Sequence, residues 1–96
     1  MYGLIGSFKA RDGQRAALAD ILTASVGQLP GCKSYVVAED PNDDVTLWIT
    51  EVWTDAAAHK ASLEVPAVKA AIAKGMPLIA SFGMHQETRP VGGTGL

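Results

Sequence analysis

The sequence predicts an α+β domain of order β-α-β-β-α-β, with the second helix broken in two and the strands in one antiparallel sheet. Three observations predict it. Short β-branched and aromatic runs with period-two alternation recur along the chain. Two intervening stretches instead place apolar residues three and four apart. The two middle strands are joined only by Asp40-Pro-Asn-Asp-Asp44, a loop that allows nothing longer than a hairpin.

Strand 1 is read at Tyr2 to Lys9. Tyr2, Leu4, Gly6 and Phe8 share one face and Gly3, Ile5 and Ser7 the other, and the glycines leave space for a close backbone or a ligand. Helix 1 starts from Asp12, whose carboxylate can cap backbone N–H groups. Its stripe is Leu18, Ile21, Leu22, Ser25, Val26 and Leu29; Arg11, Gln14, Arg15, Asp20 and Gln28 form its wet side, and Pro30-Gly31 ends it. Strand 2 is Cys32 to Glu39. The aspartates that follow read as a solvated turn, because the glycine and final glutamate of a calcium loop are missing. Strand 3 runs from Val45 to Trp53. Thr54 or Asp55 caps a helix from Ala56 to about Leu63. A second short helix opens at Pro66, turns Val68, Ala71 and Ile72 inward and stops at Gly75. Strand 4, Leu78 to Thr88, alternates Ile79, Ser81, Gly83, His85 and Glu87 against Leu78, Ala80, Phe82, Met84 and Gln86. The tail, Arg89 to Leu96, has no periodic pattern.

This order is the ferredoxin-like plan, with helices on one sheet face. Strand 3 shows Trp48 on one side and Leu47, Ile49 and Trp53 on the other. A sheet apolar on both faces in so short a chain calls for a ligand or a second copy over the uncovered face, so a homodimer enclosing a space is expected.

Ninety-six residues make one domain, 1–96. Eight Lys+Arg against ten Asp+Glu, with no basic block, give nucleic-acid binding no electrostatic support. The single Cys32 excludes an internal disulfide and a thiolate-rich metal site, so no metal is expected. No signal-peptide pattern opens the chain, and no apolar run approaches the ~20 residues that span a bilayer. No membrane partner is expected, and a cytoplasmic setting is.

Beyond the element order, specific residues carry a resemblance: Pro30-Gly31-Cys32 before strand 2; Glu51-Val52-Trp53, then Ala58-His59 and Ser62, an E-x-W-x5-H-x2-S spacing; the end of strand 4; and the tail Arg89-Pro-Val-Gly-Gly. In these the chain resembles the antibiotic biosynthesis monooxygenase family, in particular small bacterial members described as quinol monooxygenases. The resemblance implies a dimeric α+β barrel of two ferredoxin-like protomers. It also implies oxidation of a small phenolic or quinol-type aromatic by O2, with no metal, flavin or nicotinamide cofactor. Haem-degrading relatives of the same fold use a strand 1 Asn, a Trp ending strand 3 and a helix His. Trp53 and His59 match the last two loosely, but strand 1 offers Ser7 and no Asn. Haem degradation therefore stands third, behind a monooxygenase and a non-catalytic small-ligand-binding barrel.

His59 is the candidate catalytic base, with Asp55 one turn earlier to orient its ring. Trp53 is expected as a flat pocket wall, and Ser62, Tyr35, Ser7 and His85 as further substrate-binding groups. Glu51 is read as a structural partner for a Lys or Arg, and Trp48 as core. The tail, residues 89–96, is expected to dock on the partner protomer.

Overall fold

The computed structural model describes residues 1–24 and 29–96. The part of helix 1 expected at Ser25, Val26 and Gln28 lies outside the described residues. The elements run β1 (Tyr2–Ala10), α1 (Arg15–Ala24), β2 (Cys32–Glu39), β3 (Thr46–Trp53), α2 (Ala56–Ser62), α3 (Pro66–Gly75), a single 3-10 turn (Met76–Leu78) and β4 (Ile79–Thr88). The sheet order is β2-β3-β1-β4, antiparallel throughout. This is the expected plan with the second helix split.

Register assigns the faces. Leu4 pairs with Glu51, Gly6 with Ile49, Phe8 with Leu47, and Tyr35 across from Glu51, so these residues share the face under the helices. Leu18 of α1 drops onto that face beside Ala10 and Leu47, with Phe8, Leu22, Val37 and Ile79 packed around them. Burying three residues of this kind at about 25 cal/mol per Å2 supplies the main drive for docking α1 on the sheet. Gly75 lets α3 come close: a Cβ there would sit 3.3 Å from Leu18 Cδ1. Its backbone is right-handed, at φ −78°, and the chain continues into the 3-10 turn. Gly75 thus serves packing and not the left-handed reversal that its position at the helix end suggests.

Other local expectations shift. Asp12 lies in a turn completed by Gly13 at φ +75°, and α1 begins two residues later than that cap would place it. Arg15 is not simply solvated. Its Nη1 donates to the carbonyls of Asp40 (3.2 Å) and Asp43 (2.6 Å), and its Nε meets Glu39 at 3.2 Å, so α1 clamps the β2–β3 hairpin. The hairpin aspartates serve the turn as expected: Asp40 accepts from Asn42 N–H and Asp43 from Val45 N–H. Trp48 is half-buried on the face away from the helices and donates its indole N–H to Asp40 at 3.0 Å, which removes it from the core.

The strict alternation expected of β4 breaks. Phe82 pairs with Phe8, yet His85 pairs with Gly6, so three steps on β4 match two on β1. The extra residue forms a bulge opposite Ser7. The Ser7 hydroxyl accepts the Met84 N–H at 2.9 Å, supplying the bond the ladder loses. Both Phe82 and His85 therefore face the helix side. Outward of β1, β4 is an edge strand exposed along its length after Ile79.

Candidate functional site

The site begins at the end of β3. Glu51 and Trp53 are two residues apart, hence on one face, and Trp53 is 1% exposed. Asp55 then stops the strand and starts α2, its carboxylate accepting Ala58 N–H at 2.7 Å. That cap sets the phase of α2 and swings His59 back over the strand it has just left. The imidazole rests edge-on to Trp53, centroids 5.4 Å apart, and against Tyr2 at 5.6 Å. Its Nε2 faces Glu51 Oε1 at 3.8 Å, an electrostatic approach longer than a hydrogen bond. The same oxygen accepts the Trp53 indole N–H at 3.0 Å.

Asp55 is thus spent on the helix cap and does not orient the ring; Glu51 is the carboxylate beside His59. Nor does Glu51 have the Lys or Arg expected of it: its partners are an indole and an imidazole. Burial pushes the Glu51 carboxyl up from its ordinary value, opposed by the Trp53 hydrogen bond and by His59 and His85. Tyr35 lies opposite Glu51 on β2. Burial and then the Glu51 charge push its hydroxyl far up, so it stays a protonated donor. Tyr2 is also pushed up, by desolvation and by Glu87, which its hydroxyl meets.

Two cavities meet at these groups. One of about 130 Å3 lies under α1, α2 and α3 and includes Trp53, Ser62, Leu63, Val68 and Ile72 in its lining. The other, about 260 Å3, opens toward β4 between Leu4, Phe8, Ile49, Phe82 and His85. Tyr35, Glu51 and His59 line both. Phe8 and Phe82 stand edge to face at 5.9 Å, forming one aromatic wall of the larger cavity. A wider groove of about 440 Å3 between α1 and α3 is mostly alanine with Asp20 and Lys74, and lies away from all of these groups.

The sequence-derived residues are therefore gathered as follows. His59 and Tyr35 stand at the junction. Trp53 and Ser62 line the smaller cavity, and Ser7 and His85 the larger. Ser62 is 5% exposed and its hydroxyl donates to the His59 carbonyl at 2.6 Å, a bond that stiffens α2 at the histidine. Ser7 is committed to the bulge. Tyr2, Phe8 and Phe82 escape a reading of motifs. Period two could place Tyr2 and Phe8 on the Leu4 face, but the bulge hides Phe82 from it. Among the described residues no three or more His, Cys, Asp or Glu side chains come together to hold a metal ion, and no helix is long and apolar enough to cross a membrane.

Comparison with known proteins bears on this geometry. Residues 1–74 match the model of the family described as antibiotic biosynthesis monooxygenase. The chain is similar to a crystal structure of a candidate antibiotic biosynthesis monooxygenase from Chloroflexus aurantiacus J-10-fl. Identity is 56%, with 96% of this chain and 94% of that one covered and a TM-score of 0.94. It is also similar to a candidate of the same description from Deinococcus radiodurans, at 25% identity, 97% and 95% coverage and a TM-score of 0.80. One from Caulobacter crescentus CB15 shares the fold at 18% identity, covering 95% and 90%, with a TM-score of 0.85. No curated protein matches.

Proposed function

Because this chain belongs to the antibiotic biosynthesis monooxygenase family, we propose that it oxidises small phenolic or quinol-type aromatics with O2, His59 acting as the base. One observation carries the reading: an imidazole and a half-buried carboxylate face each other at 3.8 Å where two largely apolar cavities meet. A neutral imidazole beside a carboxylate favours the tautomer with its N–H on that side, so the Glu51 charge 3.8 Å from Nε2 leaves the other ring nitrogen with its lone pair. That nitrogen takes the proton of an aromatic hydroxyl, while Tyr35, still protonated, donates to the oxygen that becomes negative.

The electron-rich anion passes one electron to O2. The radical pair joins as a C–O bond, giving a hydroperoxide. Loss of water then leaves one oxygen atom on the ring as a quinone carbonyl and carries the other away with the two hydrogens. Substrate and O2 supply all the atoms and electrons, so the sequence calls for no cofactor. The protein contributes a dry, aromatic-walled chamber and a placed base.

A second copy of the chain completes the reading. Val36 is 51% exposed, Met84 51% and Phe82 65%, and β4 leaves a long unpaired edge. A homodimer would cover them and close the mouth of the larger cavity.

An oxygen-electrode screen with quinols and hydroxylated polycyclics tests the activity. Uptake should exceed spontaneous autoxidation and fall at least tenfold in a folded His59→Ala protein. If both proteins merely track autoxidation, the site binds without turnover and the enzyme reading fails.

A further inference from the structure

We propose that the site takes a hydroxyaromatic bearing a short apolar arm on the carbon next to its hydroxyl, ring in the larger cavity and arm in the smaller. This rests on the reading of the site as one for phenolic or quinol rings and narrows it to a substitution pattern.

The two cavities have different characters and one common border. Tyr35, Glu51 and His59 supply that border and most of the polarity in reach of a ligand. A hydroxyl settles there because a donor, Tyr35, and two acceptors, Glu51 and His59, converge on that border. The ring attached to it belongs on the larger side. About 260 Å3 accommodates a ring system, and the edge-to-face pair Phe8 and Phe82 offers a surface suited to a flat π face.

The smaller cavity remains. Its walls past the border include Leu63, Val68 and Ile72. At 130 Å3 it is small for a second substituted ring. A cavity of about 150 Å3 takes benzene, so this one holds a chain of roughly four or five carbons. An arm can reach it only by crossing the border where the hydroxyl sits, so it must spring from the neighbouring ring carbon. An arm opposite the hydroxyl would run instead past Phe82 to the mouth of the larger cavity, where a second copy would leave it no pocket to fill.

Titration calorimetry with phenol, 2-alkylphenols from methyl to hexyl and the matching 4-alkylphenols decides this without requiring turnover. Affinity should rise about threefold per carbon in the 2-alkyl series up to about four carbons and then fall. The 4-alkyl series should gain less than twofold in all. Ile72→Ala, at a residue 45% exposed and outside the buried core, should move the optimum outward by one or two carbons. Equal gains in the two series, an unbroken rise with length, no binding of any phenol, or an optimum unmoved in Ile72→Ala would overturn the assignment. A 2-alkyl gain in a protein that consumes no oxygen keeps the assignment and removes the monooxygenase reading.

Discussion

Glu51 Oε1 lies 3.0 Å from the indole nitrogen of Trp53, and that one contact links the end of β3 to the imidazole that α2 lowers onto it. The carboxylate is held by a neighbour two residues along its own strand, so its position depends on local geometry before any ligand arrives. A group fixed this way costs little reorganisation when charge develops beside it.

Replacing Glu51 with Gln should leave stability at neutral pH intact while lowering activity. The folded-state carboxyl is raised by burial, so the folded protein holds this proton more tightly than the unfolded chain does. Its contribution to stability is therefore greatest below the unfolded value, about 4.3, and falls as pH rises through the folded value. Thermal melts from pH 4.5 to 8 should show a flatter pH dependence in Glu51→Gln and no loss of stability at neutral pH. Quinol-dependent oxygen uptake should fall at least tenfold.

Trp53→Phe keeps a ring in the wall but deletes the indole N–H. The loss of a hydrogen bond to a charged group and of part of the buried ring should cost about 2–4 kcal/mol in urea unfolding. The hydrogen bond now lowers the Glu51 carboxyl against burial, so its removal should move that titration upward, read by 13C NMR of labelled glutamate.

The β4 bulge should behave as a coupled pair. Ser7→Ala strands the Met84 N–H and should cost about 1–3 kcal/mol. Gly83→Ala places a Cβ 2.5 Å from Ser7 Oγ and should also destabilise. With both changes the clash with the hydroxyl is gone, and the double mutant should lose less than the sum of the singles.

Removing residues 89–96 tests the tail. Pro90 packs beside Gly3, and the Leu96 carbonyl accepts from Lys33 Nζ at 3.4 Å, so the tail already touches its own chain. If it also docks on a partner protomer, sedimentation should show a weaker dimer and thermal melts a lower midpoint. An unchanged dimer would place the tail on its own chain alone.

The element order could be read from the sequence because period and punctuation agree in it. Pro66 opens α3 and Asp55 caps α2 where local chemistry says they should. His59, Trp53 and Ser62 could be grouped because the strand end and the helix spacing bring them together, while Tyr35 is only one of several hydroxyls the sequence offers. The role of Glu51 could not. A carboxylate amid apolar neighbours suggests a cation, and nothing in the spacing says that an indole two residues away will bond it. Nor could the sequence show that Arg15 reaches the hairpin carbonyls, since a long side chain chooses partners only after tertiary contacts form.

The bulge opposite Ser7 also acts as a reading-frame device for β4. With it, His85 and Glu87 look into the fold; without it, Met84 and Gln86 would take their places. Deleting one residue at 83 or 84 would remove the bulge and keep His85 on the Phe82 face, whereas a regular ladder at the present length would put a thioether in place of the imidazole at the larger cavity. A slip of register at this one point would change the chamber's polarity with no change of composition.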